Sequence, residues 1–317
     1  MILALAGGVG GAKLTQGLAT QIPPGKLRIV VNTGDDFVHL GMHISPDLDT
    51  VMYWLAGIND AERGWGVAGD TWNYMSALRQ TGGADWFQIG DRDLLTHQQR
   101  THRLKQGDTL SQTTRFLCDR LGVRHAIVPM SDQAVATIVH TRDGALAFQD
   151  YFVRQRCEPV VTAIKFDGAE RAVPSPAFAE AMTAQDLQAV VICPSNPLLS
   201  IEPVLTLPNV REWLLHRRVP VIAVSPIVGG EAIKGPAAKI FRELGLEASV
   251  TGIARHYRGL IDCLVIDNID IEAVLAIESQ GIHAAVTNTV MKDADDRAAL
   301  AKQVLDLAAC LKERTHA

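Results

Sequence analysis

The sequence has few cysteines, and none of them has the spacing that builds a cysteine site. An odd number of widely separated cysteines is not typical of a disulfide framework, and without a C-x-x-C pair the chain lacks the usual zinc or iron–sulfur ligand pattern. We therefore expect the cysteines to act as small buried hydrophobic residues, and the protein to belong to the reducing cytoplasm. The five cysteines are Cys118, Cys157, Cys193, Cys263 and Cys310.

A basic excess and a long apolar run are also missing. The formal net charge is -5 and no Lys/Arg-rich run occurs, so the chain has no general attraction for nucleic-acid phosphates. No apolar segment approaches the roughly 18 residues that a membrane span needs. Glycines interrupt the apolar residues 1–6 at once, which is unlike a signal peptide. We expect neither nucleic acid nor a membrane as a partner.

Short apolar strands alternate with helices along most of the chain. Residues 2–6 predict a buried strand, residues 12–20 a helix and residues 28–32 a second strand, which together form a βαβ unit. Such units favour parallel strands with right-handed crossovers. We predict an α/β protein with a doubly wound, mostly parallel, Rossmann-like sheet. Residues 1–317 are interpreted as a single nucleotide-binding domain.

The periodicity changes in the middle of the chain. Residues 126–130, 135–141 and 145–154 each predict a strand, and the turn Arg142-Asp143-Gly144 joins the last two. Strands connected by a short turn are antiparallel, unlike those of a βαβ unit. Residues 126–175 are therefore predicted to be an inserted section with antiparallel strands and a hairpin. Helices are expected to form the rest of the insertion.

A glycine-rich turn follows the first strand directly. Glycines allow backbone N–H groups to approach an anion, and the next helix directs its positive end there. The spacing matches neither G-x-G-x-x-G, which needs glycine at Lys13, nor Walker A, which needs G-K-[ST]. Close helix–strand packing is the alternative role. The candidate anion-binding residues are Gly7, Gly8, Val9, Gly10, Gly11 and Lys13.

Two aspartates lie at a predicted helix start, Ser45-Pro46-Asp47-Leu48-Asp49. Side chains two residues apart on a regular helix point about 200° from each other. They can share a ligand only if Asp47 sits at the helix entry, which Pro46 favours. Carboxylates suit Mg²⁺, which commonly takes one or two of them together with substrate phosphates. A favourable interaction with the helix N-terminus is the alternative.

Two neighbouring strings add further polar residues. Asn32-Thr33-Gly34-Asp35-Asp36 follows the second strand, and Gly90 to His97 contains Arg92 between two aspartates. Asn32, Asp35 and Asp36 are candidate members of the same polar site. Arg92 can anchor a planar or anionic ligand, or it can belong to a surface ion network.

Two loops in the second half follow apolar strands. Ligands of open α/β sheets bind outside the carboxyl ends of the strands, so both loops are expected to face the crevice of the glycine turn. Ser195, Asn196 and Ser225 can then contact a nucleotide. Lys234 can face a phosphate or can be a solvated residue at a helix start.

Taken together, these strings resemble the 2-phospho-L-lactate transferase family of coenzyme F420 biosynthesis. The resemblance extends over nearly the whole chain, and the order of the motifs is specific. The matching segments are residues 6–14, 31–36, 44–53, 64–66, 90–97, 129–132, 148–154, 194–197 and 224–235.

The resemblance implies a phosphoryl transfer. The terminal ribityl hydroxyl of the deazaflavin Fo attacks the distal phosphorus of a guanosine diphosphate ester of a three-carbon acid, and GMP leaves. It implies Mg²⁺ as cofactor and a homodimer. Asp47 and Asp49 would bind metal and Fo, one of them accepting the hydroxyl proton, and Arg92 would contact Fo. The guanylyl part would be held by the glycine turn, Lys13, Ser195, Asn196 and Ser225.

The donor acid stays open between phospholactate, phosphoenolpyruvate and 3-phosphoglycerate derivatives, which differ by a methyl, methylene or hydroxyl group. Pockets discriminate such changes modestly unless a hydrogen bond is involved. Motif details closer to bacterial than to archaeal members favour phosphoenolpyruvate. The main rival hypothesis is a non-catalytic regulator that binds a nucleotide sugar on the same fold. A nicotinamide-dependent oxidoreductase is the third, and the glycine spacing argues against it.

Overall fold

The computed structural model describes residues 1–316, with side chains as far as Glu313. The strands of this part of the chain are β1 (Ile2–Ala6), β2 (Leu27–Val31), β3 (Phe37–His39), β4 (Met42–Ile44), β5 (Ala126–Pro129), β6 (Ala136–Thr141), β7 (Gly144–Ala147), β8 (Val161–Asp167), β9 (Ala189–Ile192), β10 (Val221–Val224), β11 (Ile227–Val228), β12 (Glu231–Ala232), β13 (Cys263–Asp267) and β14 (His283–Thr287).

The helices connect these strands. They are α1 (Gly8–Gln21), α2 (Pro46–Ala56), α3 (Asn73–Gln80), α4 (Asp93–Lys105), α5 (Leu110–Arg120), α6 (Pro176–Thr183), α7 (Glu202–Leu205), α8 (Val210–Leu215), α9 (Ala237–Glu243), α10 (Val250–His256), α11 (Val274–Glu278) and α12 (Ala294–His316). Short π-helical turns occupy Asp150–Arg154 and Pro197–Ile201, and a 3₁₀ turn occupies Asn268–Ala273. No helix in residues 1–316 is long and apolar enough to cross a membrane.

Seven strands form one parallel sheet in the order β14-β13-β10-β9-β1-β2-β5. The chain proceeds from β1 to β2 in one direction and later returns to β9 on the other side of β1. The space between β1 and β9 is therefore the topological switch point, where open α/β sheets bind their ligands. The predicted fold class is confirmed.

Strand β1 shows how the sheet divides the core. Its side chains alternate between two apolar clusters, Leu3 and Leu5 on one face and Ile2, Ala4 and Ala6 on the other. Both faces are covered by helices, which is why the strand is apolar at every position rather than at every second one. Helix α1 packs between α2 and α12 on the second of these faces.

The middle section contains an antiparallel sheet of β7, β6 and β8. The turn at Arg142-Asp143-Gly144 joins β6 to β7 as predicted from the sequence. The structure differs at both flanks. Ala126–Pro129 pairs in parallel with β2 as the edge of the main sheet, and residues 150–154 form a π-helical turn instead of a strand. Apolar strands of either sheet have the same local pattern, so the sequence did not separate them.

Helix α1 packs tightly on α12 at Gly17, and a substitution of this glycine tests that packing. A methyl group at Gly17 would overlap the backbone carbonyl of Arg297 and lie 3.2 Å from Ala301 Cβ. We expect Gly17→Ala to lower the free energy of unfolding by about 1–3 kcal/mol, because the neighbouring atom is backbone and cannot move cheaply. Chemical denaturation measures the change.

The control is Gln21→Ala at the exposed end of the same helix, which should stay within about 0.5 kcal/mol of the parent. A Gly17→Ala protein as stable as the parent would show that the two helices do not pack this closely.

Candidate active site

The main candidate site is a cavity of about 790 Å³ at the carboxyl ends of the parallel strands. Its walls include the glycine turn after β1, Asn32 after β2 and the Pro194–Asn196 loop after β9. Each of these segments follows a strand of the main sheet, and β1 and β9 are the two strands at the switch point. The fold therefore brings together loops that are far apart in sequence.

The glycine turn is held by two side chains from other segments. The Gly8 N–H donates to Asp47 Oδ1 at 2.6 Å, and the Gly7 N–H donates to Ser195 Oγ at 3.0 Å. Gly8 has a φ of +63°, which glycine adopts without strain. Val9 and Gly10 lie in the first turn of α1, where N–H groups have no acceptor within the helix. These amides and the helix dipole can hold an anion.

Asp35 and Asp47 form a buried acidic cluster around one amide. Asn32 Nδ2 donates to Asp47 Oδ2 at 3.0 Å and to Asp35 Oδ1 at 3.3 Å. Burial raises the pKa of Asp47 to about 6. Burial and then the charge of Asp47 hold the pKa of Asp35 well above its usual value. Two carboxylates this close favour a shared proton or a bound cation.

Asp49 has different partners from Asp47. Arg100 donates to both of its oxygens, to Oδ2 at 3.0 Å and to Oδ1 over a shorter distance, and His97 Nδ1 lies 3.5 Å from Oδ2. Arg100 is only 1% exposed. The two aspartates at the start of α2 both line the cavity, but Asp47 points to the glycine turn and Asp49 to α4.

The α4 partners of Asp49 extend into a buried polar network. Tyr53 donates its hydroxyl to Asp93 Oδ1 at 2.6 Å, and His97 Nε2 lies 3.5 Å from the same oxygen. Burial opposes ionisation of Asp93, but the charge of His97 and hydrogen bonds from His97 and Tyr53 lower its pKa overall. The network fixes α2 against α4 and so positions the aspartates at the start of α2.

Cations line another part of the cavity. Lys13 Nζ donates to the Met291 carbonyl at 2.7 Å, and burial followed by the charges of Lys234 and Arg297 lowers the pKa of Lys13. Lys234 Nζ donates to the Arg63 carbonyl at 3.0 Å. The structure thus places Lys234 at the cavity, in contact with the loop that contains Arg63.

An apolar wall completes the cavity. Phe148 and Phe152 stack at 5.3 Å between ring centroids, with their planes 15° apart. Phe87 and Trp65 also line the cavity. Trp65 is 41% exposed, which is more than expected for a tryptophan that only packs in a core. Flat apolar surfaces of this kind suit an aromatic ligand.

Several residues singled out from the sequence lie outside the lining of the cavity. Arg92 is exposed and donates to the Ala68 carbonyl at 3.0 Å. Asp36 is partly buried and accepts hydrogen bonds from Ser45 Oγ at 2.6 Å and His43 Nε2 at 3.0 Å. Ser225 Oγ donates to the Ile227 carbonyl within its own loop.

Two further candidates mainly support neighbouring backbone. A side chain at Gly11 would meet Ser195 Oγ at 2.6 Å and Ala6 Cβ at 3.2 Å, so this glycine serves close helix–strand packing. Asn196 lines the cavity, and its Oδ1 accepts from the N–H groups of Leu198 and Leu199 at 3.0 and 3.2 Å. It therefore caps the π-helical turn after β9.

Sequence analysis missed Tyr53, Arg63 and Arg100. The signal for Arg100 was present, because Asp93, His97 and Arg100 are spaced i, i+4, i+7 and share one helix face. For Tyr53 and Arg63, only the fold shows that they reach the cavity.

The fold and the cavity together define an open α/β protein with a glycine-rich turn and an acidic cluster at the switch point of its sheet. Within this class, residues 2–307 match the family model described as 2-phospho-L-lactate transferase CofD. The chain belongs to this family.

Individual relatives agree with this assignment over almost their full length. The chain is 41% identical to a phosphoenolpyruvate transferase of Streptomyces griseus, with 97% of this chain and 98% of the relative covered. It is 37% identical to a 2-phospho-L-lactate transferase of Methanococcoides burtonii, with 96% and 99% covered. The resemblance found from the sequence is confirmed, and the protein is a transferase of this family.

A solved structure supports the fold. A crystal structure of a UPF0052 family member from Bacillus halodurans matches with a TM-score of 0.61 at 13% identity, covering 96% of this chain and 98% of that one. At this identity the likeness concerns the architecture alone.

The Asp49–Arg100 pair gives a stability prediction. Arg100→Met leaves the Asp49 carboxylate buried without its partner, so we expect a loss of about 3–5 kcal/mol in the free energy of unfolding. Replacing both residues, Asp49→Leu with Arg100→Met, should cost less than the single change. Denaturant titration measures both.

Arg79→Met is the matched control, since Arg79 forms an exposed ion pair with Asp85 at 2.8 Å and should leave the unfolding midpoint unchanged. If the double variant is less stable than Arg100→Met alone, the pair does not act as a compensated buried charge.

Proposed function

We propose that this protein transfers a phospho-three-carbon-acid group from its guanosine diphosphate ester to the terminal ribityl hydroxyl of the deazaflavin Fo. GMP is released, and the reaction belongs to coenzyme F420 biosynthesis. The acid is phosphoenolpyruvate, phospholactate or phosphoglycerate, with phosphoenolpyruvate first because the relative at 41% identity is named for it. The observation that carries the proposal is the hydrogen bond from Gly8 N–H to Asp47, because it joins the acidic cluster to the glycine turn.

The two sides of the cavity suit the two substrates. The first turn of α1, Lys13 and Lys234 offer N–H groups and positive charge to a diphosphate. The stacked Phe148 and Phe152 offer a flat apolar surface to the deazaflavin ring. The hydroxyl of the acceptor and the phosphorus of the donor then meet near the start of α2.

Mg²⁺ fits the acidic cluster. Asp35 and Asp47 are buried together and share one Asn32 amide, so each carboxylate destabilises the charge of the other. No group of three or more His, Cys, Asp or Glu residues in the described part of the chain forms a complete metal site. Mg²⁺ commonly takes one or two carboxylates and completes its shell with water and substrate phosphates. When bound, it would offset phosphate charge.

The metal role first assigned to Asp47 and Asp49 is therefore redistributed in the proposal. Asp35 and Asp47 hold the ion, and Asp49 orients the acceptor hydroxyl. Asp49 can serve as a fixed acceptor because Arg100 and the α4 network hold its side chain. Phosphoryl transfer through a loose transition state depends on positioning and electrostatics more than on early deprotonation. GMP then leaves from the side of the glycine turn.

The reaction gives a direct assay. Purified protein with Fo, Mg²⁺ and each of the three guanosine diphosphate esters in parallel should form GMP and an Fo phosphodiester in equal amounts. Nucleotide chromatography and mass spectrometry measure the two products. Asp47→Asn should lower turnover by about 100-fold or more, because both the ion and the glycine turn lose a charged partner.

Asp306→Asn, an exposed position on α12, is the control and should keep parental turnover. Failure of all three donors would remove the transferase proposal in this form. Binding of a nucleotide sugar without any GMP release would instead favour the non-catalytic regulator. The homodimer implied by the resemblance is a separate expectation, which sedimentation of the purified protein tests.

The metal assignment predicts a linked change in stability. Mg²⁺ at 100 times its Kd should raise the free energy of unfolding by about 2.7 kcal/mol in the parent protein. Asp35→Asn and Asp47→Asn should each abolish most of this increase, whereas Asp306→Asn should retain it. Thermal unfolding across a Mg²⁺ titration provides the measurement. An increase that survives both cluster substitutions would place the ion elsewhere.

A further inference from the structure

We propose that Arg63 binds the carboxylate of the three-carbon acid in the donor, so that the acid is recognised through its charge and planar shape. This inference rests on the proposed function and adds a substrate contact to it. Arg63 does not belong to the glycine turn, the acidic cluster or the α4 network.

Charged side chains of both signs line the cavity, the carboxylates Asp35, Asp47 and Asp49 and the cations Lys13, Arg63 and Lys234. A donor that carries a diphosphate and a carboxylate has more negative charge than the first turn of α1 alone can offset. The three cations are therefore the groups suited to the anionic parts of the donor.

The side chain of Arg63 is held in a fixed orientation. Its guanidinium lies 4.8 Å from the Trp72 ring centroid and 5.4 Å from that of Trp65, and the two rings are 77° apart. Asp60 Oδ2 accepts from Nη2 at 2.8 Å, and Asp60 Oδ1 accepts from the Arg63 backbone N–H at 2.9 Å. Contacts of the guanidinium with two ring faces and an anchoring carboxylate remove much of the freedom of this long side chain.

Part of the guanidinium remains available. Within residues 1–316, Nη1 of Arg63 has no hydrogen-bond partner, and Nη2 has only Asp60 and a 3.4 Å contact with the Val67 carbonyl. The side chain is 31% exposed and lines the cavity. An arginine held this way, with an unpaired N–H edge, is preorganised for a planar anion.

The loop that carries Arg63 rests directly on the anion site. A side chain at Gly64 would meet Lys234 Nζ at 2.5 Å and Val9 at 3.1 Å, and the φ of +83° at Gly64 also favours glycine. Val9 belongs to the glycine turn and Lys234 to the loop after β12. Arg63 therefore lies next to the groups that would hold the diphosphate, where the acid attached to the distal phosphorus can reach it.

A guanidinium pairs with carboxylates and with phosphates alike, so position decides which group Arg63 takes. The diphosphate is assigned to the first turn of α1 and the lysines, which leaves the carboxylate for Arg63. Arg63 is the one arginine among the cavity-lining residues of the described chain, and the other nearby cations are lysines. A guanidinium can pair with a planar carboxylate through two parallel N–H groups, whereas an ammonium acts as a point charge. All three candidate acids carry the carboxylate, so Arg63 recognises the class and leaves the choice among them to other contacts.

The test compares each donor with a matched analogue whose carboxylate is replaced by a carboxamide. In the parent protein kcat/KM should be about 100-fold higher for the acid than for the carboxamide, which corresponds to about 2.7 kcal/mol. In Arg63→Gln this ratio should fall below about 5-fold, through loss of activity with the acid and nearly unchanged activity with the carboxamide. Arg63→Lys should give an intermediate ratio, since it keeps the charge without the paired N–H groups.

Arg79→Gln is the matched control, because Arg79 is also paired with an aspartate but lies outside the cavity lining. It should keep the parental ratio. An unchanged ratio in Arg63→Gln, or equal losses with both donors in a folded Arg63→Gln protein, would overturn the assignment. Absence of turnover by the parent with every donor would instead contradict the proposed function itself.

Discussion

The burial of three carboxylates in one cavity is the constraint on which the rest of the site depends. Asp35, Asp47 and Asp49 are each at most 8% exposed, so none can rely on bulk water to offset its charge. The fold compensates them in separate ways. Asp49 is paired with Arg100, and Asp47 accepts N–H groups from Gly8 and Asn32. Asp35 is the least compensated, which is why we propose a cation at this cluster.

This compensation joins the site to the fold. The partner of Asp47 is the first residue of α1, and the partner of Asp49 lies on α4. The first turn of α2 is thus attached on two sides to elements that also pack in the core. The positions of Asp47 and Asp49 are therefore set by packed helices and not by a surface loop. Such support is what a precise phosphoryl transfer requires.

The sequence was sufficient for the architecture and for the location of the site. Apolar strands followed by turns rich in glycine, serine or asparagine have a local signature, and the switch-point rule then places them at one edge of the sheet. The partners of individual side chains had no such signature. Asp47 and Asp49 are two residues apart, but their partners are 39 and 51 residues away, and only the folded chain selects them.

The lack of a local sequence signature for side-chain partners also explains why Arg92 was predicted to belong to the site and Arg100 was not. Arg92 is prominent in the sequence because two aspartates flank it, but Asp93 belongs to the buried network of Tyr53 and His97, and Asp91 organises backbone. Asp91 accepts the N–H groups of Asn73 and Tyr74 at the start of α3. Arg100 has no such conspicuous neighbours, and it is buried where α4 brings it to Asp49 at the start of α2. Charge density along a chain is therefore a weaker guide to a cavity than helix-face spacing combined with topology.

The hydrogen bonds at Gly7 and Gly8 have a consequence for how a nucleotide can lie in this protein. Two amides that dinucleotide-binding and P-loop proteins can devote to phosphates are already used internally, by Ser195 and Asp47. A pyrophosphate bound at this turn would therefore have to lie one or two residues further along the helix entrance, towards the Arg63 loop. The glycine spacing, which fits neither motif, would then go with a shifted position of the nucleotide.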